Sequence, residues 1–117
     1  MNAEASHTLM NRVRLEGGAT QEDLRFIERA LVQLFTQLSR FDPEMVDIGV
    51  RFKDRGQPGM RTSLELHVQG LPAMVGVSDL TDTKAALNDA EAKVLSQLRS
   101  NVTRRADHHP RRPTDST

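Results

Sequence analysis

The sequence predicts an α+β domain with the element order β-α-β-β-β-α, four strands in a mixed sheet with two helices packed on one face. Three observations carry this. Apolar and polar residues alternate with period two in four short segments. Two longer segments space their apolar residues at three and four. Clusters of Gly, Pro and Asp separate these segments. At 117 residues the chain fits one domain with short tails.

Residues 8–15 read as the first strand, with Leu9, Val13 and Leu15 on one face and Met10, Arg12 and Arg14 on the other. Gly17-Gly18 ends it. Thr20 is placed as a helix N-cap, and Asp23 completes an approximate capping box. Leu24, Ile27, Leu31, Leu34 and Leu38 then form one stripe along a helix of about five turns, which Asp42-Pro43 closes. Val46, Ile48, Val50 and Phe52 alternate with Asp47, Gly49, Arg51 and Lys53 as the second strand. The turn-rich run 54–59 fits a hairpin loop, and Leu64, Leu66 and Val68 give the return strand. Residues 73–78 read as a short fourth strand with Val75 and Val77 inward, weakened by Gly76. From Thr81 or Asp82 the helical period returns through Ala86, Leu87, Ala90, Val94 and Leu98.

Each strand has one apolar face, so the sheet is expected to be solvated on one side and covered by both helices on the other. Strands two to four form an antiparallel meander. The first crossover, right-handed by rule, makes strands one and two parallel neighbours. The domain is expected to span residues 8–103. Residues 1–7 read as a disordered N-terminus and 104–117 as a disordered basic tail, where Pro110 and Pro113 forbid helix.

Composition narrows the function classes. Cysteine is absent, which removes disulfides, thiolate catalysis and the common structural zinc sites, and makes the cytoplasm the expected location. No apolar run approaches the roughly 20 residues of a membrane span. With four Phe and neither Trp nor Tyr, a platform of stacking aromatics is nearly excluded. His67 stands alone on a strand and His108-His109 are adjacent, so no metal site is expected. No Ser/His/Asp grouping, phosphate loop or carboxylate pair has motif context. The sequence therefore predicts neither an enzyme nor a cofactor.

Sixteen basic and sixteen acidic residues cancel overall, yet they cluster. Lys84, Lys93, Arg99, Arg104 and Arg105 lie off the apolar stripe of the last helix. They read either as an edge that contacts RNA phosphates from a rigid element or as a solvated face complementing the helix dipole. Arg12, Arg14, Arg51 and Lys53 fall on the polar face of two neighbouring strands. Here phosphate docking competes with cross-strand neutralisation by Asp47 and Glu65.

The last helix also carries a pattern. Asp82 is followed by Ala85-Ala86-Leu87-Asn88, Lys93-Val94 and Gln97-Leu98-Arg99. This resembles the ribosome hibernation-promoting factor and ribosome-associated inhibitor A family, whose pattern is Asp, two variable positions, Ala-Ala-Ile-Asp, a Lys-Leu pair and Gln-Leu-Arg one turn later. The strand ending at Gly17 and the helix opening near Thr20 resemble the family's first β-α unit more loosely. The resemblance covers roughly residues 8–102. Lys84 stands where an aromatic is usual, Ser96 and Ser100 where cations are common, and Arg25 and Arg29 are the only cations of the first helix before Arg40.

The resemblance implies a fold like that of double-stranded-RNA-binding domains in a short, divergent family member without a second, dimer-forming domain. It implies docking on the small ribosomal subunit and its rRNA, with Lys84, Lys93, Arg99, Arg104, Arg105, Arg12, Arg14, Arg51 and Lys53 as candidate contacts. The expected function is ribosome stasis by steric block of the decoding channel, without DNA or membrane as partner. The alternative is a protein-interaction or weakly homodimerising adaptor of the same fold, favoured by the serines at 96 and 100 and the neutral net charge.

Overall fold

The computed structural model describes residues 8–108, with side chains through Arg104. The expectations for residues 1–7 and 109–117 lie outside the described residues, as do those for the side chains of Arg105 and His108. Strands β1 (Val13–Gly17), β2 (Val46–Lys53), β3 (Arg61–Val68) and β4 (Met74–Ser78) lie side by side in that order. β1 runs parallel to β2, and the other pairs are antiparallel. Helices α1 (Leu24–Ala30), α2 (Val32–Leu38) and α3 (Thr83–His108) pack against the sheet. The architecture is the α+β, four-stranded mixed sheet expected.

Burial follows the two periodicities. Val46, Ile48, Val50 and Phe52 meet Leu64, Leu66 and Val68 across the β2–β3 ladder, all essentially inaccessible. Ile27, Leu31, Leu34 and Leu38 close the core from α1 and α2, while Ala86, Leu87, Ala90, Val94 and Leu98 close it from α3. Asp82 starts α3 by accepting the Ala85 N–H at 2.9 Å.

Four boundaries or faces differ from expectation. Residues 8–10 form a helical turn, with Asn11 N–H donating to the Thr8 carbonyl and Arg12 N–H to that of Leu9. The register explains the short strand. Val13 pairs with Ile48 and β2 begins at Val46, so residues before 11 have no strand to pair with. Leu9 instead curls into the core. Next, the expected single helix is broken at Leu31 into α1 and α2, preceded by a 3₁₀ turn at Gln21–Asp23. The cause is a tertiary contact: the Glu91 carboxylate accepts the Leu34 N–H at 3.0 Å. That N–H would otherwise bond four residues back, and an inserted side chain interrupts such a ladder. At the other end, α3 continues past Thr103 to His108.

The fourth difference is the phase of β4. Met74, Gly76 and Ser78 face the core, whereas Val75 and Val77 are 43% and 37% exposed on the open sheet face. α3 crosses β4 so closely that a Cβ at Gly76 would lie 2.3 Å from the Ala90 carbonyl oxygen. Glycine is the residue that admits this approach.

A clamp fastens the β2–β3 hairpin to the start of α1. Arg55 stacks on Phe52, 4.6 Å from the ring centroid. It donates from Nη1 to Asp23 Oδ2 at 2.8 Å and from Nη2 to Oδ1 at 2.9 Å. Asp23 also accepts the Thr20 N–H at 2.9 Å, which completes the expected capping box. Hydrogen bonds from Arg55 hold the Asp23 carboxyl below its ordinary value of 3.8. Its stabilising contribution is therefore complete above that value and disappears as pH falls through the depressed folded-state value. Asp23→Asn should cost about 2 kcal/mol at pH 7, and this deficit should shrink below the ordinary value of 3.8. Urea melts of both proteins at neutral and acid pH measure it; a deficit independent of pH would exclude the ion pair as its source.

Candidate nucleic-acid interface

On α3, Lys84, Asn88, Glu91, Ala92, Leu95 and Arg99 recur at helical spacing beside the core stripe. They form one wall of a groove of about 790 Å³; Phe26, Arg29, Ala30, Val32 and Gln33 form the other. Lys84 and Arg99 are fifteen positions apart, so the helix holds them about 22 Å apart along the groove. Arg29 sits on the facing wall. None of these three cations makes a hydrogen bond or ion pair among the described residues.

The groove opens where α1 gives way to α2. Glu91, 5% exposed, reaches across from α3 to the freed amide of Leu34. Burial pushes its carboxyl above the ordinary value, opposed by the amides of Leu34 and Gln33. The same contact splits the helix and joins α2 to α3.

The sheet face behaves differently. The Arg14 guanidinium lies over Gly49 and is held by both Asp47 oxygens at 2.8–3.0 Å, by Glu16, and by Glu65 at 3.7 Å. Its pKa is driven up, chiefly by the Asp47 hydrogen bonds, and Asp47 is driven down in return. Arg12 donates from Nε to the Val46 carbonyl at 2.9 Å. Arg14 therefore meets the cross-strand neutralisation that competed with phosphate docking in the sequence. Arg51 and Lys53 remain exposed at the far end beside Arg61, without a polar partner among the described residues.

The cations of α3 separate into different environments. Lys93 points to the sheet edge, where Nζ donates to the Val77 carbonyl at 2.6 Å and lies 3.3 Å from Asp89. Gln97 lies one turn further on. It donates to the Val75 carbonyl at 2.6 Å and accepts the Val75 N–H at 3.1 Å. Arg104 donates to Ser100 and Asn101 on its own helix. With Arg99 and Thr103 it lines a shallow continuation of the track.

The structure thus brings Lys84 and Arg99 to one groove and sets Lys93 apart from them. Arg29 is the groove cation that sequence reasoning did not select. The signal available for it was its place three residues after Phe26, on the flank of the first helix's apolar stripe. Among the described residues, no group of three or more His, Asp or Glu side chains is arranged to hold a metal ion, and no helix is long and apolar enough to cross a membrane. A scan against protein-family models gives no match to this sequence, and neither does a search of curated proteins.

Proposed function

We propose that the protein is a cytoplasmic ribosome-binding stasis factor that docks on small-subunit rRNA through its helical face. It occupies the decoding channel, excludes messenger and transfer RNA, and holds ribosomes idle. No bond is made or broken in this mechanism. A rigid domain fills the channel, and phosphate contacts retain it there.

The observation that carries this reading is the convergence of Arg29, Lys84 and Arg99, all without polar partners among the described residues, on one groove. Cations carried on packed helices meet phosphates from a backbone that is already ordered, and the release of condensed counterions supplies the affinity. The sequence pattern of α3 supports the choice of ribosomal RNA over other polyanions. The adaptor alternative draws on Val75 and Val77 on the open face. Two partly exposed valines form a far smaller apolar surface than a stable dimer requires, and the RNA reading is preferred.

Co-sedimentation with ribosomes across a salt series tests the proposal. Replacing Arg29, Lys84 and Arg99 together with Ala should weaken binding most at low salt. It should also flatten the slope of log affinity against log salt by about two units, at roughly 0.7 per contact to single-stranded RNA. Lys93→Ala should leave the slope nearly unchanged, because its ammonium is engaged at the sheet edge. An unchanged slope in the triple variant would remove the helical face as the docking surface.

A further inference from the structure

We infer that the groove between α1–α2 and α3 takes one unpaired guanine nucleotide of single-stranded RNA, with the base inside and the flanking phosphates on the rim. The inference rests on the RNA-docking reading and adds base recognition to it.

Size comes first. About 790 Å³ lies in the range of sites that hold a small organic group. Its lining is divided in chemistry as a nucleotide is. Phe26 and Leu95, partly buried and buried, supply apolar lining against which a base can pack. The exposed amides of Gln33 and Asn88 each donate and accept, which suits the mixed edge of a base. Deepest lies the Glu91 carboxylate, where Oε2 takes the Leu34 N–H and the Gln33 backbone amide also donates to the carboxylate. A carboxyl group has further lone pairs and acts as acceptor toward N–H donors. Guanine presents two adjacent donors, N1–H and N2–H, on its Watson–Crick edge. The three cations stand on the rim, with Lys84 and Arg99 near opposite ends of the α3 wall, where they would meet phosphates of the neighbouring nucleotides several links apart as the strand enters and leaves. Charge is therefore complementary at both levels, with acceptors for the base edge and cations for the phosphates. Phe26 is the one aromatic among the groove's lining residues, so the groove offers stacking to a single base.

Carbon-13 methyl NMR on Val32 and Leu95 reads the site directly, with the pentanucleotides UUGUU and UUUUU and inorganic phosphate as probes. UUGUU should shift both methyl groups and bind at least tenfold more tightly than UUUUU, while phosphate should leave the methyl groups in place. Ala92→Phe fills the groove from an exposed position without removing a cation. It should erase the preference and leave the weaker, salt-sensitive binding common to both oligonucleotides. Gln33→Ala, also at an exposed position, should reduce the preference at least threefold and stands in if the filled variant loses its cooperative melt. Equal affinity for the two pentanucleotides, or an undiminished preference in the folded variants, overturns the inference. Ribosome sedimentation separates the two layers. If the protein pellets with ribosomes but shows no UUGUU preference, the base site falls and the docking reading stands. If the preference is present and the protein stays out of the pellet, the reverse holds.

Discussion

Gly76→Ala should lower the stability of the domain by about 3 kcal/mol, although the same change in an open strand would be nearly neutral or stabilising. Removing a glycine's freedom in the unfolded chain favours folding by roughly 0.4–1 kcal/mol where the backbone permits a side chain. Here the added methyl would sit 2.3 Å from the Ala90 carbonyl oxygen and 3.1 Å from its carbon. Both atoms belong to the backbone of α3 and cannot rotate away. The helix must lift off β4, and overpacking of this kind costs about 1–3 kcal/mol or more. Gly49→Ala is the informative control. Its new methyl meets the Arg14 guanidinium at 3.1 Å, the far end of a flexible side chain that can shift. That variant should lose less than about 1 kcal/mol. Denaturant melts of both compare the two costs, and equal losses would show that α3 yields as easily as an arginine.

A carboxylate in the sheet core should be worse still. Val50 is fully buried between Leu15 on β1 and Leu64 on β3. Val50→Asp places a charge among apolar side chains there, at a cost of several kcal/mol. That is comparable to the whole stability of a domain this size. Circular dichroism should show no cooperative thermal transition. Arg51→Ala, one residue along on the solvated face, should stay within about 0.5 kcal/mol of the parent. Similar losses in the two variants would mean that the strand does not separate core from solvent.

The sequence made legible what depends on near neighbours. β2 and β3 could be read because strict alternation over eight residues leaves one choice of face. The helical stripes could be read because burial repeats every turn. What stayed hidden depends on partners distant in the chain. The break at Leu31 is made by Glu91, 57 positions from the amide it binds. The phase of β4 was inverted because Val75 and Val77 look like core residues, and only the approach of α3 turns Gly76 inward. The basic clusters were visible as composition, but the pairing of charges was not. Arg14 is surrounded by carboxylates from two strands beside its own Glu16, and Lys93 is spent on a strand edge. Arg29, on a different element from Lys84 and Arg99, joins them only after folding.

The Gln97 and Lys93 contacts to β4 bear on how the protein behaves when crowded. An outer strand normally offers a row of vacant amides and carbonyls to any passing chain. Here a glutamine amide occupies the N–H and C=O of Val75 as a neighbouring peptide unit would, and an ammonium takes the Val77 carbonyl. A second molecule arriving at that border finds these three groups already taken, and would have to peel two side chains off a packed helix to pair with them. Stacking of copies into fibrils through this border is thereby opposed by the fold itself.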